Sequence, residues 1–341
     1  MFGKFPSHLK NYAIAFVAFF MTLCLIGCAN NKAAQAEKKI ILSESAVELY
    51  VDAVILKNEN KNELSIEKLN RAVAADKNFS LAHSMLGNIY LQLKLYDKSA
   101  ASYENATNIN PWEFNDFLSL GKVYYTLKKF TLAVKAYVKA AELKPDDIQA
   151  NLGVTKSYYE LKDYDNASIY AQRSEKIDPN IAELQKIMGD IQGSKKDYEQ
   201  AVTAYKRALE IKSDDPNIMT ALAVVYLRTQ RNEPAKELLN SAAELQPDNS
   251  EIYKYLGYCY LASEDMQNAV LNYDKAISID PNDWDSLRGL GVAFMKMAKE
   301  GDVVDEELKQ KAIELWKQSI QANPNQPNGE RLKKLITKYS L

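Results

Sequence analysis

Histidine and cysteine are scarce in this 341-residue sequence, with two of the first and three of the second. Cys24 and Cys28 stand near the start, which leaves Cys259 and His83 alone in the rest of the chain. One internal thiol and one internal histidine make neither a His-containing metal cluster nor a Cys/His nucleophile pair. A disulfide framework is excluded by the same count. The 12 glycines fall singly, so no Gly-rich loop is available to cradle a phosphate. A basic surplus is also lacking: the formal net charge is -2, which argues against a nucleic-acid binder. Few breakers (12 Gly, 10 Pro) among 47% hydrophobic and 26% charged residues suit a folded, helix-rich chain and not a disordered one.

Only one stretch is hydrophobic for long. Lys4, His8 and Lys10 precede an apolar run from Tyr12 to Ile26, the order of a secretory signal. The run falls short of the roughly 20 residues that span a bilayer comfortably. It ends in Leu25-Ile26-Gly27-Cys28, which resembles the lipobox of bacterial lipoproteins. That resemblance implies cleavage before Cys28 and attachment of a diacylglyceryl group to its sulfur, with two or more acyl chains holding the protein firmly to a membrane. Ala29, in place of an Asp after the lipidated Cys, resembles the sorting signal for the outer membrane. The alternative is an uncleaved membrane helix in which Cys28 is simply buried. Removing residues 1–27 takes away Lys4 and Lys10, so the charge moves from -2 to -4. Residues 28–45 read as the lipidated Cys and a tether about 20 to 25 Å in mean reach. Ser45, with Glu48 three residues on, has the form of a capping box.

From Ala46 the sequence repeats every 34 residues, with units at 46–79, 80–113, 114–147, 148–181, 182–215, 216–249, 250–283 and 284–326. The seventh shows the pattern most fully in Tyr253, Leu256, Gly257, Tyr260, Ala269, Tyr273, Ala276 and Pro281. This spacing resembles the tetratricopeptide repeat, a helix-turn-helix module. The resemblance implies an all-α, right-handed superhelical solenoid of about eight repeats. Small residues hold the twentieth position (Ser65, Ser99, Ala133, Ala167, Ala201, Ala235, Ala269, and Ala312 after an insertion) and the twenty-seventh (Ala72, Ala106, Ala140, Ser174, Ala208, Ala242, Ala276, Ser319). They predict close approach of the second helices to their neighbours, with aromatics at the eleventh and twenty-fourth positions as the interlocking bulk. Pro111, Pro145, Pro179, Pro247, Pro281 and Pro324 are expected to stop the second helices. Three departures stand out. The first unit has Asp52 and Lys77 where Leu and Pro belong. Gln192 and Gly193 predict a shortened or bent first helix in the fifth, and about nine extra residues near 299–308 are placed between the helices of the eighth. Residues 327–341 read as a capping helix, with Leu332, Leu335, Ile336 and Tyr339 on one face.

In this family the first helices line a concave groove through their second, fifth, ninth and twelfth positions. Carried onto this sequence, that places Leu91, Leu118, Tyr125, Leu152, Tyr159, Val224, Leu227, Tyr258 and Leu261 in the groove as apolar or aromatic candidates. Lys122, Lys156, Lys186, Lys254 and Arg288 add positive charge, with Arg228 adjacent, and Glu183, Asp190, Glu251 and Asp285 keep the lining mixed. The expectation is that Tyr and Leu anchor an extended or helical peptide while Lys and Arg read its carboxylates; Tyr125 and Tyr159 equally suit an extension of the packing. The Lys-then-Asn clamp of chaperone-binding relatives is missing: Lys186 is followed by Asp190, Lys254 by Tyr258, and Asn88 is preceded by Ser84. His83 and Cys259 read as packing residues, and no catalytic residue, cofactor or metal is expected. The sequence thus predicts a non-enzymatic, lipid-anchored scaffold for protein or peptide partners, in outer-membrane assembly, pilus or cell-wall machinery. The alternative is a transport-accessory lipoprotein that partners a solute-binding protein or holds a small ligand.

Overall fold

The computed structural model describes residues 45–300 and 303–340. Cys28, the apolar run before it and most of the tether lie outside those residues. Among the described residues there are seventeen α-helices and no strand. They fall into two compact units, Met1–Leu93 and Lys94–Leu341.

The first unit holds α1 (Ala46–Asn58), α2 (Asn62–Ala75) and α3 (Ser80–Gln92). At its start Ser45 Oγ accepts from the Glu48 amide at 3.2 Å while the Ser45 amide donates to Glu48 Oε2 at 2.9 Å, the reciprocal box read from the sequence. Leu49, Ala53, Leu69, Ala72, Ala82, Leu86 and Ile89 form the core. His83 is buried, and burial pushes its pKa below the usual imidazole value, as a packing role requires.

The second unit continues with α4 (Tyr96–Ile109), α5 (Phe114–Thr126), α6 (Phe130–Leu143), α7 (Ile148–Glu160), α8 (Tyr164–Ile177), α9 (Ala182–Ser194) and α10 (Tyr198–Ile211). It is completed by α11 (Pro216–Arg228), α12 (Asn232–Leu245), α13 (Ser250–Ala262), α14 (Met266–Ile279), α15 (Trp284–Met297), α16 (Glu306–Ala322) and α17 (Gly329–Ser340). First helices of 13 residues alternate with second helices of 14 until the last repeat. Many start on an acid: Asp147 Oδ1 accepts from the Ala150 amide at 2.8 Å, and Asp215 Oδ1 from the Asn217 amide at 3.0 Å.

Every residue of the two small columns, from Ser65 to Ala312 and from Ala72 to Ser319, is fully buried, with 0% exposure. The glycines act with them. A Cβ on Gly121 would stand 2.7 Å from the Tyr137 ring, and one on Gly153, in the next repeat, 2.5 Å from the same ring. Tyr137 is therefore clamped between two first helices at places where only hydrogen atoms fit, and Tyr273 sits in the same way between Gly257 and Gly289.

The helix ends differ from expectation in three ways. The second helices stop in register whether or not proline follows: α2 and α10, with Lys77 and Ser213 at that position, end at Ala75 and Ile211 as their neighbours do. The stop lies in the backbone, which leaves the helical region at the cap residues Asp76 and Lys212 while their amides still bond back to Ala72 and Ala208. Secondly, α9 is not shortened by Gln192 and Gly193 and keeps the 13 residues of its counterparts, because Gly193 retains a negative φ. Thirdly, the insertion is shared out: α15 grows to 14 residues, α16 to 17, and the remainder lengthens the connection. The first helices end on a device that the sequence did not reveal. Lys94, Lys128, Lys162, Lys196, Gln230 and Glu264 each take a left-handed φ near 60° directly after the helix cap. The following amides reach back five residues, as Lys129 N to Tyr124 O does at 2.9 Å, which closes a Schellman turn without glycine.

At the C-terminal end α17 packs on α16, with Leu332 buried and Tyr339 6.4 Å from the Trp316 ring. The repeat core is covered there, which a solenoid end needs. No helix of the described residues is long and apolar enough to cross a membrane.

Candidate functional site

Within the second unit each first helix from α5 to α15 also touches the next first helix, two elements along, whereas the second helices do not approach one another as closely. The first helices therefore line the inner side of the stack. Polar pairs cross this face at a fixed interval, from the ninth position of one repeat to the second of the next. Lys122 Nζ meets Gln149 Oε1 at 2.6 Å, and Lys156 Nζ meets Glu183 Oε1 at 2.7 Å.

The candidate residues divide by what they already touch. Leu91 is half-buried on α3, in the first unit, and the others lie in the second. Leu118 is buried in the stack. Tyr125 is half-buried edge-on to Phe130 at 5.4 Å, and its phenol is pushed up to about 12 by burial first and by Glu160 second. Tyr159 lies 6.1 Å from the Tyr164 ring, and burial followed by Asp190 raises its pKa. Both tyrosines thus contribute to packing. Tyr258 differs, with half of its surface exposed.

The cations divide in the same way. Lys156 is held by Glu183, Lys186 by Asp190 at 2.8 Å, and Arg288 by Asp285 while also donating to the Pro327 carbonyl at 3.2 Å. Lys122, Arg228 and Lys254 have no acid partner among the described residues; Lys254 Nζ lies 5.0 Å from the Tyr255 ring.

Two depressions open on this face. One, of about 430 Å³, spans α7 to α13 and includes Tyr159, Lys186, Asp190, Gly193, Arg228 and Tyr255. Nothing lies within 4 Å of where a Gly193 Cβ would stand, so the missing side chain leaves that space open. Asp190 is its best-tied group, accepting from Tyr205 Oη at 2.6 Å as well as from Lys186. The other, of about 360 Å³, is formed by α11, α13 and α15, with Val224, Leu227, Tyr258, Leu261 and Val292 as its apolar lining and Arg228, Lys254 and Arg288 as its cations. Tyr255 contributes to both and is absent from the sequence-derived set; its pKa is pushed up to about 12 by burial and Glu251. Cys259 faces the core on the other side of α13, and burial raises its thiol to about 11, so it carries no nucleophile at neutral pH.

The repeat arrangement has counterparts. The family described as cilia and flagella-associated protein 70 C-terminal domain, a tetratricopeptide-repeat family, matches residues 33–287. Among curated protein sequences none matches this chain significantly. Among solved structures, a chain of the APC/C hetero-tetramer Cut9-Hcn1 is similar at a TM-score of 0.57 and 14% identity, over 85% of this chain and 55% of that one. The present chain thus spans about half the length of that relative. Pseudomonas aeruginosa pilF is similar at a TM-score of 0.52 and 18% identity, covering 62% of this chain and 96% of its own. A tetratricopeptide repeat protein from Parabacteroides merdae gives 0.51 and 15%, with 74% and 99% covered. At such identities these likenesses speak to the fold. With three quarters of its length matched by the family and its helices stacked in 34-residue steps, the chain belongs to the tetratricopeptide-repeat family, as an all-α repeat solenoid of the scaffold type.

Proposed function

We propose that this chain is a lipid-tethered scaffold of a bacterial cell envelope, anchored in the outer membrane and facing the periplasm, which holds partner proteins by a segment laid along its first helices. The observation that carries this reading is the inner face itself, where exposed Tyr258, half-buried Leu227 and the cations Arg228 and Lys254, held by no carboxylate among the described residues, remain open to a partner. Aromatic and aliphatic anchors beside cations are the groups that carry binding energy at protein interfaces. Support for the tether is the apolar run that ends in Leu25-Ile26-Gly27-Cys28. At the level of fold alone, the Cut9-Hcn1 hetero-tetramer is a precedent for this kind of solenoid within a protein assembly. The partner's identity decides among outer-membrane assembly, pilus and cell-wall machinery.

The test is a pulldown of the full chain from detergent-solubilised envelopes, comparing wild type with the double variant Leu227→Asp, Tyr258→Arg. A specific partner recovered with wild type and lost with the variant supports the groove; an unchanged partner list overturns it. Labelling with a radioactive fatty acid is expected in wild type and absent in Cys28→Ala, and label that persists in the variant removes Cys28 as the anchor.

A further inference from the structure

The two depressions share Arg228 but differ in charge balance. The larger has Lys186 and Arg228 against Asp190 and Glu251, an even count. The smaller has Arg228, Lys254 and Arg288 against Asp285 alone, and Arg288 already holds that carboxylate. Two cations are left over on a mostly apolar floor, in a chain whose overall formal charge is -2. Like charges facing one cleft with low-dielectric walls repel each other and focus a field that attracts anions. Neither side chain needs to release a carboxylate to accept one: the Arg228 guanidinium makes no ion pair or hydrogen bond among the described residues and acts only through space on the Tyr205 and Tyr255 phenols, and the Lys254 ammonium has the Tyr255 ring.

We infer that the depression over α11, α13 and α15 takes a protein segment in which a carboxylate stands beside a bulky apolar side chain. The carboxylate lies between Arg228 and Lys254, and the apolar group rests on Leu227, Tyr258, Leu261 and Val292. Side chains on one face of an extended segment recur every second residue, about 6.5 to 7 Å apart. An acid and a large apolar residue separated by one project to the same face of such a segment, and that element, in either order, is the one proposed for this depression. This rests on the peptide-binding reading above and specifies its chemistry. Binding through two incompletely screened cations also weakens as salt rises.

The experiment is a selection of displayed random 12-residue peptides on the folded full chain, followed by affinity measurement of the enriched peptides. Wild type is expected to enrich acid-x-apolar peptides. Arg228→Glu combined with Lys254→Glu is expected to weaken them by about tenfold or more, since a charge-assisted contact contributes roughly 1.5 to 3 kcal/mol and 1.4 kcal/mol is tenfold. Selection on that double variant should turn to basic-x-apolar peptides. Lys176→Glu combined with Lys206→Glu, exposed sites on the second helices α8 and α10, matches the change in net charge and leaves the selection unaltered. Far-UV circular dichroism checks that the fold is retained. Peptides that are weakened by Tyr258→Arg yet show no preference for acids overturn the charge rule and leave the groove standing. No enrichment, or enriched peptides indifferent to Tyr258→Arg, overturns both.

Discussion

Two glycine-to-alanine changes in equivalent helices are expected to move stability in opposite directions. At Gly153 the added methyl group would lie 2.5 Å from the Tyr137 ring, and the ring cannot retreat, because a Cβ-sized space at Gly121 on its far side is closed at 2.7 Å. Tyr137 is 5% exposed, so no path to solvent relieves the clash. Overpacking of this kind costs about 1 to 3 kcal/mol, and a ring held on both faces belongs at the upper end. Alanine recovers about 1 kcal/mol of helix propensity, which leaves Gly153→Ala destabilised by about 2 kcal/mol. At Gly193 nothing lies within 4 Å of the new atom and φ is negative, so the propensity term acts alone and stabilises by up to about 1 kcal/mol. Urea unfolding of the chain from Ala29 onward, followed by far-UV circular dichroism, should separate the two variants by about 3 kcal/mol. Repeat arrays lose cooperativity when one interface weakens, so the midpoint and the slope are both read. A Gly153→Ala protein at least as stable as wild type would refute the ring-seat argument.

Other outcomes follow from single groups. Ser174 is fully buried in a column otherwise mostly alanine, and its hydroxyl finds no partner among the described residues, unlike Ser65 Oγ, which donates to the Ala53 carbonyl at 2.8 Å. Ser174→Ala should therefore stabilise by about 1 kcal/mol, whereas Ser65→Ala should not, in the same urea assay. Lys128 holds φ at 56° after α5, and Lys128→Gly should raise the midpoint by removing left-handed strain of about 1 kcal/mol. Tyr125 and Tyr255 have phenols pushed up to about 12, above their unfolded value near 10. The folded chain holds those protons longer than the unfolded one, so their contribution is complete below pH 10 and is lost as pH rises from 10 through 12. Urea midpoints measured between pH 8 and 12 should fall over that window, and a flat profile would contradict the burial of these rings.

The helical registers were legible because residue volume repeats: an alanine, serine or glycine every 34 residues marks where two helices must touch. The rest was hidden for identifiable reasons. The left-handed turn after the first helix of each of the first seven repeats is occupied by Asn60, Lys94, Lys128 and their counterparts, and the lysines among them give no sign of positive φ. Proline was read as the stop for the second helices, yet the backbone geometry at Asp76 and Lys212 stops them without it. Gln192 and Gly193 were visible as a departure, but the sequence could not say whether a lost ring bends a helix or empties a pocket; Gly193 lines the larger depression. The groove positions were nameable, while their pairing was not. Which cations are already held depends on the approach of adjacent first helices, as when Lys156 meets Glu183.

A division of labour between positions explains why recognition can vary here without loss of the fold. The small columns are at 0% exposure in every repeat, so their free-energy contribution is repeated along the array and tolerates little change. The ninth position, by contrast, reads Lys122, Lys156, Asp190, Val224, Tyr258 and Val292 in successive repeats of the second unit, and each stands on the inner face. Surface substitutions away from caps and cores usually shift stability by no more than about 0.5 kcal/mol. At the exposed ninth positions, Lys122 and Tyr258, charge and apolarity are therefore free to follow a partner, whereas Asp190 is tied to Tyr205 and Lys186. Over α11, α13 and α15 the cations Arg228 and Lys254 are held by no carboxylate among the described residues and Tyr258 is exposed, which is why that stretch, and not the better-packed tyrosines of α5 and α7, is the place to look for contact.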